Sequence, residues 1–277
     1  MMTLAVAALA ALQAEGVTLA YAADKGPKDK VSLESKLTLK IEGQGPVVNY
    51  IRSLSPLLSL EKATLRADAT AQVTGKNRHK LEIEESRLDF RYDDEDHQFE
   101  FKKGDLPPHA QKEKLKSMMY YFAASGWNYT LTPAGEYKTD QPDQDHNGEA
   151  MDLFSHSITR MPSKPVKEGD TYEATWRGQR ADKRKDGKLK DSRYAFTQKV
   201  KVGKIEEKDG RQRATLTSEL TGEVQVPDGE KDPSAEEAWQ KCEGKTRLVI
   251  EVGTGRVISS EGSGVCRAYY RGTAEDG

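Results

Sequence analysis

A short acidic segment has the spacing of a calcium-binding loop. Asp143, Asp145 and Asn147 alternate and a glycine follows them, which matches the first half of the D-x-D-x-[DN]-G pattern. Alternate side chains of such a loop converge on one cation, and the glycine permits the sharp turn between them. The twelfth position holds Phe154 where the pattern requires a glutamate. The segment therefore predicts a weak Ca²⁺ site, and the alternative is a solvated acidic linker. Its proposed ligands are Asp143, Asp145, Asn147 and Asp152.

A second acidic group lies in a segment that alternates like a strand. Two of Glu82, Glu84, Glu85 and Asp89 would form a catalytic pair if they met in a cleft. At strand spacing, however, Glu82 and Glu84 project away from the neighbouring apolar side chains, which is the ordinary solvent-facing arrangement. The one S-x-x-K segment, Ser59–Lys62, lacks the S-D-N and K-T-G motifs that accompany it in penicillin-binding enzymes. We therefore expect a protein that is not an enzyme, with a hydrolase as the alternative.

A lipophilic contact surface is predicted on one helix. Leu115, Met118, Met119 and Phe122 fall at i, i+3, i+4 and i+7, which places them on one helix face. Trp127 follows as the first residue of a predicted strand, and methionine suits adaptable apolar sites because its side chain is unbranched and flexible. These five side chains are the candidate lining of a ligand pocket. The alternative is ordinary packing of the helix against a sheet.

The two cysteines are predicted to pair across a hairpin. Its turn at Gly253–Gly255 sets the register, so that partners in the two strands have numbers that sum to about 508. Cys242 and Cys266 satisfy this sum, as does the apolar pair Ile250 and Ile258. Directly opposed strand residues have Cα atoms about 4.5–5.5 Å apart, a separation that a disulfide accepts. A bulge in the glycine-rich stretch before Cys266 would turn one cysteine to the other face, and two unrelated buried thiols are the alternative.

Charge and composition exclude several classes of protein. The 277 residues carry 43 Lys and Arg against 45 Asp and Glu, so the chain lacks the basic excess of a nucleic-acid-binding protein. Five His and two Cys leave few ligands for metal clusters, and no cofactor other than Ca²⁺ is predicted. The basic segment Arg177–Arg193 could grip an anionic polymer or a lipid headgroup, and the alternative is a solvated hairpin loop.

The first residues are typical of an export signal. Leu4–Leu12 is an apolar run too short to span a bilayer, and no other segment could cross one. Ala20-Tyr21-Ala22 gives the small-x-small pattern of signal peptidase, so residues 1–22 are predicted to be removed and residues 23–30 to form a polar lead-in. The run has no Lys or Arg before it, which favours the alternative of a short helix packed on the domain. A secreted or periplasmic location would also permit the disulfide.

The remaining chain alternates between short strands and turns. Period-2 patterns separated by turn signals such as Asp209-Gly210 predict antiparallel hairpins in residues 31–140 and again in residues 168–272. A change of phase near Ser86 predicts a β-bulge. One helix is predicted between a cap at Asp105 and Gly126, and a short second one from Ser234 through Trp239. The order of these elements predicts one domain, residues 31–277, built from two related halves. The alternative is that any antiparallel protein shows hairpins at such intervals.

Three segments resemble a family of bacterial exported proteins of unknown function. They are Met161–Tyr172, with its Pro-x-x-Pro-Val-x-x-Gly-Asp-x-Tyr pattern, the hairpin Thr215–Gly222 and the closing stretch Ile250–Ser260. The architecture of that family is similar to the half-barrel of lipoprotein carriers, an antiparallel sheet curled around helices. The resemblance implies a fold and a compartment but no catalytic residue.

These observations together predict a mainly β protein, a duplicated antiparallel meander curled into a half-barrel around one or two helices. We expect a secreted or periplasmic protein that binds a lipophilic or cell-envelope component in the concave face of the sheet. The alternative is a structural or protein-interaction module of the envelope whose core is filled by its own side chains. Ligand identity, partner and oligomeric state do not follow from the sequence.

Overall fold

The computed structural model describes residues 16–22, 24–38, 60–92, 94–106, 108–109, 114–123, 127–139, 158–183, 189–226 and 237–271. Over these ranges the chain is mainly β, with two antiparallel sheets and one helix of 10 residues. The predicted mainly β fold class is thus confirmed. Among the described residues, no helical segment has the length and hydropathy needed to span a bilayer.

The described chain divides into two compact units. The N-terminal unit contains the described residues between 24 and 130 together with residue 139, and the C-terminal unit contains those before 24, from 131 to 138 and after 147. The strands of the first sheet lie between residues 29 and 139, and those of the second between residues 171 and 271. The organisation as one domain of two related halves stays a prediction.

The first sheet is built around the long strand β3. Its strands are β1 (Asp29–Thr38), β2 (Leu60–Gly75), β3 (Arg78–Tyr92), β4 (Glu95–Lys102), β5 (Trp127–Leu131) and β6 (Tyr137–Thr139). They follow the order β1-β2-β3-β5-β6, and β4 also pairs with β3. Because β2 occupies one edge of β3, the other edge is shared between β5, opposite residues 78–81, and β4, opposite residues 85–92.

A β-bulge in β3 keeps its apolar side chains on one face. Asp68 pairs with Glu85 and Ala69 with Ile83, so Glu84 is the extra residue. The bulge predicted near Ser86 is confirmed within two residues of that position. It changes the phase of alternation, so that Ile83 before it and Ser86, Leu88 and Phe90 after it are all buried.

The helix α1 (Lys114–Ala123) covers part of this apolar face. Met119 and Ala123 pack in one buried cluster with Leu88 and Phe90, and Ser86 Oγ donates a hydrogen bond to the carbonyl of Ala123 at 2.7 Å. This packing supplies the tertiary stabilisation that a 10-residue helix needs, since short helices are marginal alone.

The helix begins later than predicted, and Asp105 does not cap it. The Asp105 carboxylate accepts a hydrogen bond from the amide of Lys102 at 2.7 Å, and its own amide donates to the carbonyl of Lys102 at 3.0 Å. Asp105 therefore closes a tight turn after β4, nine residues before Lys114.

The second sheet is a simple meander. Its strands are β7 (Thr171–Lys183), β8 (Leu189–Lys208), β9 (Arg211–Val226), β10 (Glu237–Glu251) and β11 (Val257–Arg271), in the order β11-β10-β9-β8-β7. Strands β7 and β8 pair as far as Lys183 and Leu189. Most of the basic segment Arg177–Arg193 is therefore paired backbone rather than a loop, and residues 184–188 and the side chains of 178–193 lie outside the described part.

The second predicted helix is wrong where it can be compared. Glu237 opens β10, and Trp239 lies opposite Gln225 on one neighbouring strand and Tyr269 on the other. Pairing on both edges uses the strand hydrogen bonds of this backbone, which overrides the local capping signal of Ser234 and Glu237. Ser234 itself lies outside the described residues.

Residues 16–22, predicted to belong to the removed signal, are packed in the C-terminal unit. Val17, Leu19 and Tyr21 are 4%, 3% and 6% exposed. Val17 also forms an antiparallel bridge with Val166. The predicted cleavage position after Ala22 thus lies at the end of a buried segment.

Candidate functional site

The predicted calcium ligands cannot be placed. Asp143, Asp145, Asn147 and Asp152 lie outside the described residues, and the Ca²⁺ site stays a prediction. Within the described ranges, no group of three or more His, Cys, Asp or Glu side chains could hold a metal ion.

The candidate carboxylates Glu82 and Glu84 form ion pairs with lysines. Lys80 Nζ lies 2.8 Å from Glu82, and Lys103 Nζ lies 2.9 Å from Glu84 and 4.0 Å from Glu82. The hydrogen bond from Lys80 lowers the pKa of Glu82, and the hydrogen bond from Lys103 lowers the pKa of Glu84. A general acid needs a raised pKa, so this arrangement holds both groups ionised and suits a solvated face.

The other two carboxylates of that group have different surroundings. Asp89 lies 3.2 Å from Arg66 and 3.0 Å from Arg87 on the charged face of the first sheet. Glu85, beside the bulge, is exposed. The ion pairs of Asp89, Glu82 and Glu84 are thus those of a charged surface rather than of an acid–base pair.

Only one residue of the predicted lipophilic stripe has a described side chain. Met119 is fully buried against the first sheet. For this residue the structure shows the alternative given above, ordinary packing of the helix against a sheet. Leu115, Met118 and Phe122 lie in α1 and Trp127 opens β5, but their side chains are outside the described part. A pocket lined by these five residues stays a prediction.

The two cysteines occupy directly opposed positions. Cys242 on β10 faces Cys266 on β11, and Cys242 is 4% exposed. The glycine-rich stretch before Cys266 holds its register, with Gly244 opposite Gly264. The register shifts instead beside the turn, where Ile250 faces Val257 and not Ile258 as the sequence predicted.

The Pro-Val-x-x-Gly-Asp segment forms the turn that leads into β7. The Asp170 carboxylate accepts a hydrogen bond from the amide of Lys167 at 2.8 Å, and the Asp170 amide donates to the carbonyl of Lys167 at 3.1 Å. Gly169 has φ +91° and donates its amide to the carbonyl of Val202 at 2.9 Å. The glycine and the aspartate therefore have a structural role in attaching this turn to β8.

A residue that the sequence did not single out, Arg160, lies just before that segment and is held by its backbone. Its amide donates to Gln198 Oε1 at 2.7 Å, and its carbonyl accepts from the hydroxyl of Tyr172 at 2.8 Å. Gln198 is fully buried and also donates to Ser218 Oγ at 3.3 Å. These contacts fix Arg160 above β7 and β8.

The guanidinium of Arg160 is packed on an aromatic ring, and two of its nitrogen atoms have no hydrogen-bond partner among the described residues. Its central carbon lies 4.7 Å from the ring centroid of Trp176, within the range of a cation–π contact. Its Nε and Nη1 atoms are buried and have no hydrogen-bond partner in the described protein. Burial lowers the pKa of Arg160 and the charge of Glu136 opposes that shift, but an arginine stays protonated in a protein.

The ring under Arg160 begins a row of directly opposed residues that crosses all five strands of the second sheet. Trp176 is opposite Phe196 with ring centroids 5.8 Å apart, and Phe196 is opposite Gly222. The row then continues through Cys242 to Cys266. Trp176 is only partly buried, so the site combines a cation short of hydrogen bonds with an aromatic surface.

Comparison of the chain with known proteins found no match. No protein-family model matches the chain, and searches of the curated proteins and of the solved structures found no similar protein. The resemblance to exported half-barrel proteins therefore stays a prediction.

Proposed function

We propose that this is an exported, non-enzymatic protein that binds an amphiphilic cell-envelope component with an anionic head. The head is held by Arg160, and the apolar part lies along the aromatic side chains of the second sheet. One observation carries the proposal, namely the two buried nitrogen atoms of Arg160 that have no hydrogen-bond partner in the described part of the chain.

The energetics of Arg160 support an anionic ligand. Arg160 as a whole is half-buried, but two of its guanidinium nitrogen atoms are removed from water, and buried polar atoms without a hydrogen-bond partner are costly. A carboxylate or phosphate oxygen would supply the missing acceptors, and charge-assisted hydrogen bonds are the strong ones. Trp176 and Tyr194 are partly buried beside Phe196, with the ring centroids of Tyr194 and Phe196 6.2 Å apart. They provide apolar surface for the rest of the ligand.

The cysteine register supports export and a disulfide. The apolar run Leu4–Leu12 is the sequence signal for export, and Cys242 and Cys266 face each other as a cross-strand bridge requires. We propose that they are oxidised in the mature protein, because an extracytoplasmic compartment favours disulfides. The lowered pKa values of Glu82 and Glu84 support a role without acid–base catalysis.

The alternative is a structural module of the envelope. Two observations favour it: α1 covers part of the apolar face of the first sheet, and the C-terminal unit buries Val17, Leu19 and Tyr21 as its own core. A module of this kind would bind no small amphiphile, and its Arg160 would pair only with water.

Native mass spectrometry of the protein purified from its own envelope distinguishes the two functions. We expect wild-type protein to carry an acidic amphiphile, Arg160→Met to lose it, and Arg247→Met to keep it. Arg247 is the matched control because it is exposed on β10 of the same unit. A ligand-free mass for the wild-type protein would contradict the binding function and favour the structural module.

A further inference from the structure

We propose that processing takes place before Gly16, so that the mature protein retains residues 16–22 as a strap of its C-terminal unit. This strap, residues 16–22, has three side chains at most 6% exposed, Val17, Leu19 and Tyr21. They alternate as in a strand, with the intervening residues more exposed. Removal after Ala22 would take all three from the core, and loss of a large buried apolar side chain typically destabilises a protein strongly.

Hydrogen bonds attach the strap near both of its ends. Val17 exchanges two backbone hydrogen bonds with Val166, at 2.7 and 2.9 Å. The amide of Tyr21 donates to the carbonyl of Pro133 at 2.9 Å, and the amide of Ala22 donates to the carbonyl of Gly255 at 3.0 Å. A segment fixed near both ends has the attachment of an integral element rather than of a removable leader.

At two glycines elsewhere in the C-terminal unit, the absence of a side chain leaves room for the strap or for the residue that it contacts. Gly255 has φ +70°, and a Cβ atom there would overlap the backbone of residues 20–22. Gly135 has φ +89°, and a Cβ atom there would lie 3.1 Å from the ring of Tyr21 and 2.8 Å from the carbonyl oxygen of Thr159. Both positions combine a left-handed backbone with close approach to the strap or its neighbour, which only glycine accommodates.

The strap also positions the segment that carries Arg160. The hydroxyl of Tyr21 donates a hydrogen bond to the carbonyl of Thr159 at 2.9 Å. Thr159 directly precedes Arg160 and is itself 2% exposed. A chain that begins at Ala23 would therefore lose a contact beside the proposed anion site.

The first test is the N-terminal sequence and intact mass of protein recovered from its own envelope. We expect a first residue after Met1 and no later than Gly16. A folded protein that begins at Ala23 would overturn the proposal. An intact Met1 would also overturn the proposed processing, although the strap would be retained.

The second test uses two glycines of one turn. Gly253 and Gly255 both have positive φ, but a Cβ atom at Gly253 would meet nothing within 4 Å. Both alanine variants share the backbone strain, so Gly255→Ala should melt lower than Gly253→Ala by about 4–8 °C because of the overlap with the strap. Equal melting temperatures of the two variants in the mature protein would overturn the proposal.

Discussion

At the scale of single residues, Arg160 is the side chain on which the proposed ligand site depends. Its guanidinium contacts the Trp176 ring, and its Nε and Nη1 atoms are buried without a hydrogen-bond partner among the residues that the structure describes. We predict that Arg160→Met leaves the free energy of unfolding of ligand-free protein unchanged or raises it by about 1–2 kcal/mol, since an apolar side chain of similar volume avoids the burial of an unpaired charge. Urea denaturation of delipidated protein measures this difference.

The control for that variant is Arg247→Met on the exposed face of β10. A surface substitution of this kind should change the free energy of unfolding by less than about 0.5 kcal/mol. A loss of more than about 3 kcal/mol in Arg160→Met would contradict the account, because it would mean that the charge has a partner within the chain.

Glu251 is a second residue with a testable charge. Burial raises its pKa, but hydrogen bonds from Thr254 Oγ1 at 2.9 Å and Arg211 Nη1 at 3.1 Å outweigh that effect, and the pKa is lowered. A lowered pKa in the folded state stabilises the protein above the ordinary pKa of a glutamate, and this stability is lost as the pH falls through the folded value. We predict that Glu251→Gln costs about 1–2 kcal/mol at pH 7.

The pH dependence of stability distinguishes the contribution of the Glu251 charge from that of the size and packing of its side chain. The difference in unfolding free energy between wild-type protein and Glu251→Gln should shrink as the pH is lowered below the ordinary glutamate pKa. At pH ~2 the Glu251 carboxyl is expected to be largely protonated in the folded and in the unfolded state. A difference in unfolding free energy that stays constant down to that pH would contradict the role of the charge.

At the scale of elements, the row that crosses β7 to β11 depends on the absence of a side chain at Gly222. A Cβ atom there would overlap the ring of Phe196, which is 1% exposed. We predict that Gly222→Ala lowers the free energy of unfolding by about 1–3 kcal/mol, the usual range for overpacking. Gly244→Ala is the control, since its Cβ atom would come no closer than 3.4 Å to any neighbour. Equal stability of both variants in a thermal melt would refute the packing of Phe196 on β9.

The hairpin of β10 and β11 gives the prediction for the cysteines. A disulfide between Cys242 and Cys266 would enclose 23 intervening residues and stabilise the fold by roughly 3 kcal/mol on the loop-entropy model. Reductant should therefore lower the denaturation midpoint of wild-type protein and leave that of a Cys242→Ser, Cys266→Ser variant unchanged. A free thiol in freshly exported protein, detected by non-reducing peptide mapping, would contradict the bridge.

The elements also show what the sequence could predict. The cysteine register follows from a turn only a few residues away, and turn chemistry is local. The shift between Val249 and Ile250 broke the expected pair of Ile250 and Ile258, because a one-residue irregularity leaves no composition signal. The pairing of β5 with the first residues of β3 joins segments nearly 50 residues apart, and no local pattern indicates it.

At the scale of the whole molecule, the mainly β class was predictable and the candidate site was not. Alternation in long strands is strong in the sequence, and it predicted antiparallel strands in both sheets. Arg160 carries no motif, and its significance depends on Trp176, Gln198 and Tyr172, which only the folded second sheet brings together. The strap was missed for a related reason, since apolar residues near the N-terminus resemble an export signal until their burial is seen.

The most direct test of the proposed function is calorimetric titration of delipidated wild-type protein, Arg160→Met and Arg247→Met with decanoate and with 1-decanol. The two ligands share a tail and differ in head charge. The account predicts that wild-type protein and Arg247→Met bind decanoate alike, that Arg160→Met binds it at least ~10-fold more weakly, and that decanol does not distinguish the three. Equal decanoate affinity in wild-type protein and Arg160→Met, or no binding to wild-type protein, would contradict it.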